Sequence, residues 1–104
     1  MNTDFWTAYS SDDRHTAIDK IQSVVSKYGD IIEFKFFSDI SITLIIEIME
    51  SKIGKLNNEL HDIIAIDKYD HYDSTSQNER TIYLNITFTK GTGNLKIEVP
   101  SVPG

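Results

Sequence analysis

The chain of 104 residues contains no cysteine, so disulfides, thiolate nucleophiles and zinc-thiolate sites are all excluded. Its two prolines, Pro100 and Pro103, both fall in the tail, where they stop the last apolar series from continuing as an ordinary central strand. Basic residues are few: ten Lys and Arg face sixteen Asp and Glu, a net charge of −6 that disfavours nucleic acid as a partner. No apolar run approaches the roughly 20 residues that span a bilayer, so no membrane insertion is expected. The opening Met1-Asn2-Thr3-Asp4-Phe5-Trp6 has neither a basic nor an apolar leader segment, and a cytoplasmic location is the expectation. No glycine-rich phosphate loop, helical histidine pair, calcium loop or serine elbow occurs, so no cofactor and no metal is expected.

What is present is globular in character. Hydrophobic residues make up 39% and charged residues 25%, near the averages for a folded domain, and the length suits one domain over 1–104. Ser10-Ser11-Asp12-Asp13 supplies N-cap candidates for a helix on which Ile18, Ile21, Val24, Val25 and Tyr28 share a face. Gly29 is expected to end that helix in a left-handed cap. The period then changes to two. Ile32, Phe34 and Phe36 alternate with Ile31, Glu33, Lys35 and Phe37, and after the turn at Ser38-Asp39, Ile42, Leu44, Ile46 and Ile48 alternate with Thr43, Ile45, Glu47 and Met49. This reads as an antiparallel hairpin. Ser51 is placed to cap a second helix with Ile53, Leu56, Leu60 and Ile63 or Ile64 on its stripe.

A short strand at Ile63 to Asp70 and a polar loop from Asp70 to Arg80 follow. Thr81 to Thr89 alternates again, and Lys90-Gly91-Thr92-Gly93-Asn94 forms a turn into a returning strand with Leu95, Ile97 and Val99. The expected fold is α+β, a ferredoxin-like antiparallel sheet with two helices on one face and an added C-terminal β-hairpin. The first strand is Phe5 to Tyr9, or else Leu95 to Val99 takes that central place in a permuted sheet.

The run Asp13-Arg14-His15-Thr16-Ala17-Ile18-Asp19-Lys20-Ile21, leading to Tyr28-Gly29-Asp30-Ile31, resembles the opening of an ACT-type regulatory domain over residues 4–70. In that family a strand ends in an Asp-Arg-Pro-Gly turn, a helix follows, and a glycine step starts the second strand. The resemblance implies a plait and edge-to-edge dimers. The family's Pro-Gly pair is His15-Thr16 here, and the glycine that lets a ligand approach the backbone is missing.

The densest polar group is Asp70, His71 and Asp73, with Asp67, His61 and Asp62 upstream. A histidine beside a carboxylate suits general-base work, although the spacing matches no ligand pattern and solvated loop residues have the same composition. Ile31, Phe37, Ile45 and Met49 form an outward set apolar enough to favour a homodimer. The leading expectation is a non-catalytic binding or regulatory module recognising a protein or small molecule. The alternatives are an acidic inhibitor or immunity-type protein that blocks a basic enzyme, and a small enzyme using His71 with Asp70 or Asp73.

Overall fold

The switches of hydrophobic period along the chain mark the switches of secondary structure. The computed structural model describes residues 3–66 and 74–89. Strand β1 (Thr3–Ser10) leads to helix α1 (Arg14–Val25), strands β2 (Gly29–Ser38) and β3 (Ser41–Met49), helix α2 (Glu50–Leu60), the short β4 (Ala65–Ile66) and β5 (Glu79–Phe88). The protein is α+β, and among the described residues the first strand is the segment containing Phe5 to Tyr9. No described helix is long and apolar enough to cross a membrane.

The strands form one sheet in the order β2-β3-β5-β1-β4. Ladders β2–β3, β3–β5 and β1–β4 are antiparallel, while β1–β5 is parallel, so the sheet is mixed and not antiparallel throughout. The reason is topological. Strands β1 and β3 run in opposite directions, and any strand inserted between them must run parallel to one of the two. β5 is held by β1 from Thr81 to Phe88 and by β3 from Glu79 to Thr87. Neither of its edges is free for a returning hairpin strand. Leu95 to Val99, expected in that role, lies outside the described residues.

Alternation within each strand separates two faces. Trp6 and Ala8, Ile42 to Ile48 at even positions, and Ile82 to Phe88 at even positions are buried in one cluster with Ala17, Ile21 and Val25 of α1 and Ile53, Leu56 and Leu60 of α2. Both helices therefore cover the same face, meeting where Lys27 Nζ and the Tyr28 hydroxyl both donate to the Glu59 carboxylate. Among the buried side chains Asn57 is polar, 1% exposed, and its Nδ2 has no hydrogen-bond partner among the described residues.

Local chemistry explains the boundaries and corrects three expectations. The Asp13 carboxylate caps α1, accepting from the Thr16 amide at 3.0 Å and the Thr16 hydroxyl at 2.8 Å. Those two bonds, the amide's first, hold its pKa below the ordinary 3.8. Ser26, with right-handed backbone, closes α1, so Gly29 is not its left-handed cap. Gly29 instead starts β2 opposite Ile48, where a Cβ would stand 2.5 Å from the Glu47 carbonyl oxygen. The glycine is there for close strand approach. Helix α2 begins at Glu50 without a side-chain cap, so Ser51 does not cap it. The Glu50 and Ser51 amides donate instead to the Asn78 and Ser76 carbonyls at 2.8 and 3.2 Å, and the loop before β5 satisfies the helix end.

The third correction concerns β2. Its pairing with β3 shifts between Ile31 and Glu33 and again between Phe36 and Ser38, leaving Ile32 and Phe37 as bulge residues. One extra residue reverses the alternation. Ile31, expected to face outward, therefore packs against the core beside Phe34.

Candidate surface on the outer sheet face

The face opposite the helices carries the odd-numbered residues of β1, β3 and β5. Register places Phe5, Tyr83, Ile45 and Glu33 side by side across four strands. Phe5 is 77% exposed and its ring lies 5.2 Å from that of Tyr83, tilted by 39°. Ile45 is only 5% exposed, enclosed between its cross-strand neighbours Glu33 and Tyr83. The next row is polar: Asn85 Nδ2 donates to Thr43 Oγ1 at 2.9 Å, with Thr7 and Lys35 flanking. Asp30, Glu47 and Glu79 form an acidic margin toward the other end of the strands. Among the described residues no element covers this face.

The aromatic residues near the N-terminus divide between the two faces. Trp6 is 3% exposed in the core, whereas Phe5 and Tyr9 stand outward. Alternation carried the signal: a tryptophan inward places its neighbours outward, and Tyr83 shares their parity on β5.

The expected site residues scatter. Asp70, His71 and Asp73 lie outside the described residues. Ile31 belongs to the core side, Ile45 is enclosed, and Met49 is half-buried at the N-cap of α2. Phe37 is 66% exposed at the second bulge. It lines an open depression of about 430 Å³ with Phe36, Ser38, Asp39 and Arg14, whose guanidinium carbon stands 5.8 Å from the Phe36 ring centre. A second open depression of about 470 Å³ lies between Tyr9, Ser11, His61 and Ile64. His15 and His61 are exposed, and no three of His, Asp or Glu converge as a metal site among the described residues.

A charged group that the sequence did not flag sits under the start of α2. Arg80 Nε donates to Glu50 Oε2 at 2.7 Å, Arg80 Nη1 donates to Asp4 Oδ1 at 3.0 Å, and the Ser76 hydroxyl donates to Glu50 Oε1 at 2.7 Å. The hydroxyl bond first, and then Arg80, lower the Glu50 pKa from its ordinary 4.5. Arg80 and Asp4 occupy the inward parity of β5 and β1, two residues before Ile82 and Trp6. They close the end of the core with paired charge, an arrangement that organises structure and leaves no free acid or base for chemistry.

The chain matches no protein-family model, no curated protein and no solved structure. The functional reading rests on the surface itself. Its open row of aromatic and aliphatic side chains, bordered by hydroxyls, amides and carboxylates, is equipped to bind by contact area and to orient a partner by charge.

Proposed function

We propose that this chain is a non-catalytic binding module that recognises another protein through the outer face of its sheet. The observation that carries the reading is Phe5, 77% exposed beside Tyr83 on a face with no second layer among the described residues. Large aromatic side chains standing in water are the usual anchors of protein recognition, since they bury much area while fixing few torsions. We read the sheet as a ferredoxin-like plait opened by one strand. Support comes from the order and directions of β1 to β4, with β5 inserted between β1 and β3. A regulatory role of the ACT kind is compatible with that reading.

Immobilised wild type and the Phe5→Ser and Tyr83→Ser variants test it. A partner retained by the wild type is expected to be lost by both variants while their melting curves stay close to that of the wild type. Equal retention by all three removes the outer face from recognition. A second reading, an acidic inhibitor of a basic enzyme, is favoured by the net charge of −6 and by Asp30, Glu47 and Glu79 along the same face. Ionic strength separates the two readings. Charge-steered association slows steeply as salt rises, whereas aromatic anchoring holds.

A further inference from the structure

Where β5 ends, the sheet leaves the chain few directions to take. On one side the Phe88 amide donates to the Ile40 carbonyl at 2.8 Å, and on the other the Thr89 amide and hydroxyl both donate to the Ser10 carbonyl, at 2.8 and 3.1 Å. Both flanks of the strand are taken up to its exit. The helix-bearing side is filled as well, since Phe88 is 3% exposed within the core cluster. Among the described residues, the outer face is the one beside this exit that no element covers, and the exposed Thr89 has the outward parity of Tyr83, Asn85 and Thr87.

The sequence that follows has a matching pattern. Lys90 to Asn94 contains Gly91 and Gly93, the composition of a chain reversal. Leu95, Ile97 and Val99 then alternate with Lys96 and Glu98, a period of two that asks for one buried side, while both ladders of β5 are already occupied. The outer face offers an apolar counterpart in line with the exit: Tyr9 is 46% exposed beside Thr87, and Phe5 and Tyr83 stand two rows further on. Reach is sufficient. Tyr83 lies about 20 Å back from Thr89 along an extended strand, and Leu95 to Val102 covers about 23 Å in the same geometry. A layer stacked on a sheet sits about 10 Å above it, a height that Lys90 to Asn94 can climb.

We infer that the chain's own tail covers the outer face, with Leu95, Ile97, Val99 and Val102 set against Tyr9, Tyr83 and Phe5 and with Lys96 and Glu98 left in water. The occupant is this segment because it begins at the rim of the face. A tether this short holds it at an effective concentration on the order of millimolar, so a contact too weak to form between separate molecules is enough to fill the surface. The tail is then a built-in competitor. Any partner of the outer face must displace it, and its apparent affinity falls by the fraction of chains in which the face is free.

Paramagnetic relaxation in the 104-residue chain tests this, because Ser101→Cys gives the cysteine-free protein a single thiol for a nitroxide. Side-chain signals of Phe5, Tyr83 and Ile45 are expected to lose the most intensity, and those of Ile53 and Leu56, buried beneath α2, the least. Adding Leu95→Ser, Ile97→Ser and Val99→Ser together should erase that difference. The three positions lie outside every described element, and thermal melting is the control on the fold. Equal attenuation on the two sides of the sheet overturns the inference, as does attenuation centred on Phe36 and Phe37, or a pattern that survives the three serines. So does a pattern that arises when isotope-labelled chains are mixed with separately spin-labelled copies, because the cover then comes from a second molecule. Partner capture by the wild type with even attenuation removes the tail and leaves outer-face recognition standing. Biased attenuation with capture indifferent to Phe5→Ser and Tyr83→Ser does the reverse.

Discussion

At the scale of single residues, three positions carry consequences out of proportion to their size. The Cβ that Gly29→Ala would add meets the Glu47 carbonyl at 2.5 Å and Ile48 Cβ at 3.0 Å. The strands must part to admit it, so urea denaturation should show a loss of about 1–3 kcal/mol. Asn57 has the opposite sign. Its amide nitrogen is buried without a partner among the described residues, and Asn57→Leu replaces an unsatisfied donor by an apolar group of the same branching and somewhat greater bulk. The same measurement should show a gain of about 1–2 kcal/mol. A loss instead would mean that the amide nitrogen is satisfied by a group beyond the described residues or that the packed site does not admit two methyl groups. Glu50 sets a pH dependence. Its folded pKa lies below 4.5, so the bonds from Ser76 and Arg80 contribute fully above that value and fade as pH falls through the depressed one. Thermal melts of wild type and Glu50→Gln should therefore differ near neutrality and converge in acid.

At the scale of elements, sequence periodicity located both helices, the β2–β3 hairpin, the short strand after α2 and the body of β5. It did so because each buries one face, and burial writes a period of 3.6 or 2 into the chain. What periodicity could not show is pairing across long separations. Nothing within Glu79 to Phe88 records that its neighbours are β3 and β1, because β1, β3 and β5 share the same inward alternation. The bulge at Ile32 was hidden for a related reason: Ile31 and Ile32 are both apolar, so either parity looks acceptable until the register with β3 is known. The charged cluster at Arg80 was legible in principle. Alternation continued backward from Ile82 and Trp6 puts Arg80 and Asp4 inward, and opposite charges on inward positions of two strands ask to be paired. As for the candidate surface, Phe5 and Tyr83 were assignable to the outer parity of their own strands, but their adjacency required the parallel β1–β5 ladder. The central element also carries the largest packing penalty. Leu84, fully buried in the middle of β5, should cost about 2–5 kcal/mol as Leu84→Ala, measured by chemical denaturation.

At the scale of the whole molecule, β5 is the strand through which the sheet is continuous. On one side stand β2 and β3, on the other β1 and β4, and neither pair touches the other within the sheet. A chain ending at residue 78 keeps four of the five described strands and both described helices but lacks the strand that joins them. It is expected to lack a cooperative melting transition and the dispersed amide spectrum of the full chain. Native-state hydrogen exchange should follow the same arrangement, slowest in β3 and β5, whose ladders are closed on both sides, and fastest in β4 and along the open side of β2.

The late position of β5 also governs how the protein is born. A ribosome makes every other described element before it releases the strand that completes the sheet. Until then the apolar segment from Ile42 to Met49 lacks the neighbour that will shield its second side. Until β5 has emerged the nascent chain carries a sticky, half-zipped ribbon, so a cell making it quickly depends on holdase capacity and on translation speed through that segment.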